Sequence, residues 1–311
     1  MDNLLPSSIE ITGSIFLLVF VGYIAVSLKL FSSKDMDVLG KYVINIAVPA
    51  IMFHAVINHE FSQTDNFGFM GGYLIGSLMT LSFGLLIGLF VMKLSPIQSL
   101  FNGMGMSYSN TIYMGYPTLL LLMPSIAPTA LVMCVIVEAI VLIPLILIAS
   151  ESLSFMVLLG TLLNPMLIAL TLGVIVSITN LDVPSVITQP IDFIAKSGAA
   201  VSLIAIGGMC ARLSPSLFKS RVLLIIIGKL IIHPLFVFTG VMFMGVIGFS
   251  VTDYRLIIAA IIMSAMPPMT IYPILAQKYG EGNIATAAFS LMIILSFLTI
   301  NIILTVSSSF L

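Results

Sequence analysis

Two stretches of this sequence gather hydroxyls, an amide and prolines where the surrounding residues are aliphatic. Ser107 to Pro117 reads SYSNTIYMGYP, and Met266 to Pro273 reads MPPMTIYP. Pro117, Pro267 and Pro268 lack a backbone donor, Gly115 adds freedom just before Pro117, and the residue preceding each proline is pushed away from helical geometry. Proline also favours the first turn of a new helix. Half-helices are therefore expected to begin near Pro117 and near Pro268, with both N-termini at one depth. Two helix N-termini aimed at one point present free N–H groups and partial positive charge, which suits an anion, most simply a carboxylate. The side chains of Asn110, Tyr113 and Thr270 are placed to add hydrogen bonds.

Ionisable residues inside apolar segments form the second set of candidates. Glu138 lies in the run ALVMCVIVEAIVLIP, where an ionised carboxylate is costly and functional roles are common. It serves either in proton coupling or as a protonated carboxyl bonded to a neighbouring helix. Lys229 and His233 are four apart and share a helix face. Lys229 has three options: pairing with Glu138, attracting an anion, or snorkelling to a surface about two turns away, which is the favoured expectation. His54, beside Asn58 and His59, is expected at the outer interface. Asn45 with Pro49 and Asn164 with Pro165 read as packing and kink features, and Gly68, Gly72 and Gly76 as a close helix contact.

These residues do not compose a hydrolase or a metal centre. GMSYS at Gly105 to Ser109 begins like a nucleophile elbow but ends in Ser where Gly is required, and no strand precedes it. Every Asp falls in a loop or at a span end, so no intramembrane aspartyl pair exists, and no His pair has HExxH spacing. Cys134 and Cys210 both sit in apolar runs, away from disulfide or metal patterns. The expectation is a non-enzyme with no cofactor and no bound metal.

The elements that must hold such residues are membrane helices. The chain of 311 residues is 60% hydrophobic and only 7% charged, against about a quarter charged in soluble domains. Apolar runs of membrane-crossing length recur throughout, near-continuous rather than alternating, which selects helices over a barrel. A net charge of -1 argues against a nucleic-acid partner. The acidic flank and the missing small-residue cleavage site mark Ile11 to Leu28 as a first helix rather than a cleaved signal.

Ten spans are expected, centred near Phe20, Val48, Met79, Thr111, Val137, Thr171, Leu203, Phe236, Pro267 and Ile294. With the N-terminus outside, inward loops hold Lys29, Lys34, Lys41, Lys93, Arg212, Lys219, Arg221 and Lys278, eight of eleven basic residues. That asymmetry places both termini outside by the positive-inside rule, in a cytoplasmic membrane. Ten spans divide into two fives of opposite orientation, residues 1–150 and 151–311, with the breaks in spans four and nine at matching positions. A single proline would read as a kink; interrupted helices paired in this way point to an inverted-repeat transporter, which they suit better than a channel.

NIAVPAIMF, SNTIYMGYP, LLNPMLIALTLGV, KLIIHPLFVF and SAMPPMTIYPILAQKYG occur in that order along the whole chain. In this the sequence resembles the auxin efflux carrier family, which groups plant carriers with bacterial permeases for small organic acids. The resemblance implies an all-α integral membrane fold of ten helices, shared with bile-acid symporters and sodium/proton antiporters, in which helices four and nine cross. It implies a scaffold of spans one, two, six and seven, often dimeric, and an elevator-type transport unit of spans three to five and eight to ten. The family's crossover Asn and prolines map onto Asn110, Pro117 and Pro268 or its neighbour Pro267. Only about Ala149 to Ser154 joins the halves, as in short prokaryotic-type members, so auxin itself is not the expected substrate. The resulting expectation is a secondary transporter of a small mono- or dicarboxylate such as malate or malonate. Its alternative is a cation- or proton-coupled carrier of the same fold, with partners limited to substrate, lipid and a second copy of the chain.

Overall fold

The computed structural model describes residues 8–57, 63–142, 145, 164–179, 181–211 and 220–308. Arg212, Lys219, Asn58, His59 and the joint at 149–154 lie outside the described residues. The described chain is helical, with no strand among these residues.

In chain order, α1 (Ser8–Ser27) precedes α2 (Ser33–Tyr42), which continues through a π-helical turn, Val43–Ala47, into α3 (Val48–Ile57). Then come α4 (Gln63–Leu86), α5 (Pro96–Ser107), α6 (Tyr116–Leu122) and α7 (Ala127–Val137). The second half holds α8 (Pro165–Thr179), α9 (Ser185–Cys210), α10 (Ser220–Ile227), α11 (His233–Val246), α12 (Tyr254–Ser264), α13 (Ile271–Lys278) and α14 (Gly282–Ser308). Among the described residues, five helical stretches are long and apolar enough to cross a membrane: 34–57, 66–91, 185–210, 220–246 and 282–306. Shorter apolar helices cover 12–27, 127–137, 165–179 and 254–264.

Helix ends follow local chemistry. Ser32 caps α2 in a capping box with Asp35, and Ser95 caps α5 in one with Gln98, Pro96 taking the first turn. Asn164 Oδ1 accepts from Met166 N at 3.0 Å, so Asn164–Pro165 starts α8 and is not a kink within it. Asp253 caps α12, and its hydrogen bonds from Arg255 hold its carboxyl below the usual range. After α1 the chain closes with Lys29 at φ 58, Lys29 N bonding Val26 O and Leu30 N bonding Ala25 O, a Schellman closure on a non-glycine residue.

Further π-helical turns lie at Ile87–Val91, Thr111–Gly115, Glu138–Leu142 and Gly228–Ile232. Four of the five described π turns end two residues before a proline: Pro49, Pro117, Pro144 and Pro234. Proline cannot donate to the carbonyl four residues back and its ring crowds that turn. Widening the preceding turn relieves the crowding at the cost of one extra residue.

Two groups of helices pack closely. In one, α1 lies on α9, and α3 on α8 and α9; in the other, α4 lies on α11 and α5, and α14 on α10 and α13. Small residues permit these approaches, because lipid offers no hydrophobic drive between helices and close van der Waals contact must supply it. A Cβ at Gly72 would stand 2.5 Å from Val241 Cγ2, and one at Gly84 would stand 2.6 Å from Gly103 Cα. The four-residue glycine stripe of α4 is thus its contact with α11, as its spacing indicates.

At one end of the second group, a polar cluster joins α5, α10 and the turn before α14. Arg221 bonds Glu281 at 2.5 Å, Asn102 Oδ1 at 2.7 Å and Gln98 O at 2.8 Å, and Gln98 Nε2 donates to Glu281 Oε1 at 2.8 Å. Arg221, expected in a loop, is therefore a nearly buried tie.

Two measurements probe this packing. Gly72→Leu should cost about 1–3 kcal/mol by overpacking and lower the melting temperature in detergent. Gly13→Ala, where an added Cβ meets nothing within 4 Å, should leave melting unchanged or slightly raised. Arg221→Met should cost about 3–5 kcal/mol, because it strands a buried carboxylate. Adding Glu281→Gln should restore part of that loss in a double-mutant cycle.

Candidate functional site

The first break covers Tyr108 to Asn110. α5 ends at Ser107, Tyr108 is extended (φ -87, ψ 133), and Asn110 (φ -83, ψ 63) caps the turn that follows. The regular helix α6 begins at Tyr116 with Pro117 in its first turn, as expected, but a π turn ahead of it moves the start of the half-helix back to Thr111. Asn110 decides this: its Oδ1 accepts from Tyr113 N at 3.2 Å, which proline could not arrange. The second break runs from Ala265 to Thr270, and α13 begins at Ile271, close to the expected position near Pro268. Thr270 stands at the N-cap of α13 but makes no side-chain cap bond.

The two breaks meet. Asn110 N donates to Pro267 O at 2.7 Å, and both residues are buried. Pro267 and Pro268 carry no N–H, so this stretch adds no orphan donors there, and its free carbonyl takes one from the other break. Asn110 Nδ2 is buried without a hydrogen-bond partner. One side chain thus caps a helix with its oxygen and keeps an unspent donor in its amide.

Pro117 acts upstream of itself. Its missing N–H leaves Tyr113 O open, and Ser202 Oγ of α9 lies 3.1 Å from that oxygen. The Tyr113 hydroxyl donates to Gly40 O at 3.0 Å, so it reaches toward α2 instead of into the break. Tyr113 and Pro117 thus fasten the half-helix to α2 and α9.

Behind the first break lies a closed polar cluster. Lys229 is 0% exposed, so it does not snorkel. Its Nζ donates to Ser109 Oγ at 2.6 Å and lies 2.7 Å from His233 Nδ1. Lys229 lies in the π turn at Gly228–Ile232, and its side chain is held inside by these partners. His233 Nδ1 is also 3.0 Å from Ser264 O, and its Nε2 is 3.0 Å from Ser77 Oγ.

Glu138 is likewise buried, and opens its own π turn. It accepts from Tyr73 Oη at Oε1 and from Thr111 Oγ1 at Oε2, each at 2.8 Å. No ion pair joins Lys229 to Glu138 among the described residues. Tyr108 Oη donates to Leu142 O, holding the extended residue against the same turn. His54, half-exposed, lies 3.7 Å from Asp192, consistent with a position near a surface.

Tyr73, Ser77 and Ser109 escaped the sequence reading. A signal for the first two was present: Tyr73, Ser77 and Thr80 repeat at four and three residues along α4, a buried polar stripe opposite His233. Among the described residues, no group of three or more His, Cys, Asp or Glu side chains is placed to hold a metal ion.

A family model described as membrane transport protein matches residues 9–153 and 149–304, nearly the whole chain. A curated relative, named a putative malonate transporter, comes from Rhizobium meliloti (strain 1021). It is 24% identical over 284 residues, covering 87% of this chain and 87% of its own length. With apolar helices throughout and two broken helices bonded at a buried point, the chain belongs to the membrane transport protein family.

Proposed function

We propose that this protein is a secondary transporter of a small carboxylate, with the substrate held where the two broken helices meet. The observation that carries this is the buried contact of Asn110 N with Pro267 O, beside an Asn110 amide that has no partner. A carboxylate oxygen is the complementary acceptor for that amide and for the first-turn N–H groups at Thr111 and Ile271. The malonate named for the relative fits this chemistry, since it offers two carboxylates on a short chain. Thr270, Pro267 and Pro268 shape the opposite wall, and Tyr113 and Pro117 hold the half-helix in place.

The wider architecture follows from the same reading. Ten spans in two inverted halves, residues 1–150 and 151–311, place both termini outside the cytoplasmic membrane. Spans one, two, six and seven form the scaffold, which offers the surface for a homodimer. Spans three to five and eight to ten move as an elevator. The packing of α1, α3, α8 and α9 together, and of α4 with α5 and α11, supports that division.

Asn110→Ser tests the site without destroying the cap, since a serine hydroxyl can still accept from Tyr113 N. Loss of a hydrogen bond to a charged group, worth about 1.5–3 kcal/mol, should cut malonate uptake into proteoliposomes roughly ten- to hundredfold. The malonate-induced rise in melting temperature should disappear with it, while the protein stays monodisperse. Uptake at the wild-type rate would mean that the crossover is not the site.

A further inference from the structure

The closed cluster behind the break is more than packing. Lys229 Nζ donates to Ser109 Oγ, the Ser109 hydroxyl stands beside the Tyr73 oxygen, and Tyr73 Oη donates to Glu138 Oε1. A buried cation site and a buried carboxyl, which do not touch, are thus joined by two hydroxyls in series. Every member is buried, so no bulk water short-circuits the path. Ser109 adjoins Asn110, and Thr111, which bonds Glu138 Oε2, is the first residue of the half-helix. The chain of hydroxyls therefore wraps the proposed carboxylate position from both sides in sequence.

We infer that Ser109 and Tyr73 relay a proton between Lys229 and Glu138, and that this pair takes up one further proton with each substrate molecule, making the transporter a proton symporter. This rests on the carboxylate reading above. In the relay the Nζ proton passes to Ser109 Oγ as the Ser109 proton passes to Tyr73 Oη and the Tyr73 proton to Glu138 Oε1. Ammonium and carboxylate become amine and carboxylic acid, with no change in net charge. With one shared proton the pair is neutral in either arrangement. A carboxylate in the buried crossover adds a negative charge that the interior tolerates poorly. A second proton, giving ammonium and carboxylic acid together, offsets one negative charge, so the carrier loaded with a monocarboxylate or with singly ionised malonate crosses uncharged and the empty one returns uncharged.

His233 fits both states. Ser264 O can only accept, so an Nδ1 proton points to it or to an amine at Nζ, while Nε2 accepts from Ser77. When Nζ is an ammonium, it donates to Nδ1, and the other tautomer gives an Nε2 proton to Ser77. Tyr108 and Cys134 also face Glu138, from the break and from α7.

The experiment uses the full chain in proteoliposomes with radiolabelled malonate as the probe. An acid-outside pH gradient should drive accumulation by wild-type protein, with alkalinisation outside as malonate enters. Tyr73→Phe and Ser109→Ala should each lose gradient-driven accumulation at least tenfold, yet retain malonate-for-malonate exchange, which needs no net proton release. Glu138→Gln should behave like Tyr73→Phe. Exchange in the wild type with no response to the gradient, or Tyr73→Phe that still accumulates malonate, would overturn the relay. Failure of the wild type to bind or exchange any carboxylate would instead overturn the substrate reading. Should Tyr73→Phe not fold, Ser109→Ala, which removes one oxygen, decides the matter.

Discussion

The hydrogen bond from Asn110 N to Pro267 O reconciles two helices that stop inside an apolar protein. Each unpaired backbone group in such surroundings costs several kcal/mol, of order a domain's whole net stability when a few accumulate. The second break limits the problem by using two prolines, which have no N–H to strand. The first break is harder, since Tyr108, Ser109 and Asn110 all carry donors. Tyr108 N still bonds Met104 O, the Asn110 side chain caps the next turn, and Asn110 N crosses to Pro267. The geometry of the whole centre follows from the need to close these groups on one another.

Prolines away from the breaks contribute in another way. Glu138 opens one π turn and Lys229 lies in another, each ending two residues before a proline. The extra residue in a π turn advances the helix face locally and leaves carbonyls less strongly paired. Both ionisable residues are buried in these turns, where neutral side chains meet them. Tyr73 and Thr111 supply Glu138 with two donors, and Ser109 and His233 surround Lys229. Removing any one of these partners would leave a buried polar group unpaired, which is why the cluster acts as a unit.

Much of this was legible in the residues. The apolar runs fixed helices as the only elements, and each expected span centre falls on a described helix except Pro267, which lies in a break. The glycine stripe at Gly68, Gly72 and Gly76 reported a close contact because small residues at four-residue spacing have few other uses in lipid. What sequence misses is local: the regular helix α6 does begin at Tyr116 with Pro117 in its first turn, but a π turn capped by Asn110 precedes it and starts the half-helix at Thr111. Lys229 reads as a snorkelling residue because a sequence shows distance to a surface but not the buried partners, Ser109 and His233, that hold it inside. Tyr73 and Ser109 were hidden for a different reason. A hydroxyl becomes part of a relay only through partners from other helices, here α4, α7 and α11, and no one-dimensional spacing reports that.

The elevator proposed above would slide one group of helices past the other, against the polar ties within and between the groups. Within the second group, Arg221 links three elements through charged and charge-assisted bonds, and glycines bring α4 and α11 into close van der Waals contact. Across to the first group, the half-helix is held by Tyr113 to Gly40 O and by Ser202 to Tyr113 O. Such neutral bonds are worth about 0.5–1.5 kcal/mol each, small enough to break and re-form one register further on. Of the relay residues, Tyr73 lies on α4 and Lys229 between α10 and α11, while Ser109 lies in the first break and Glu138 follows α7, which packs on both α3 and α4. Of the two ties that fasten the half-helix, the bond from Ser202 is the one that Pro117 created by freeing a carbonyl, and Thr12 with Asn301 adds a further neutral tie between α1 and α14.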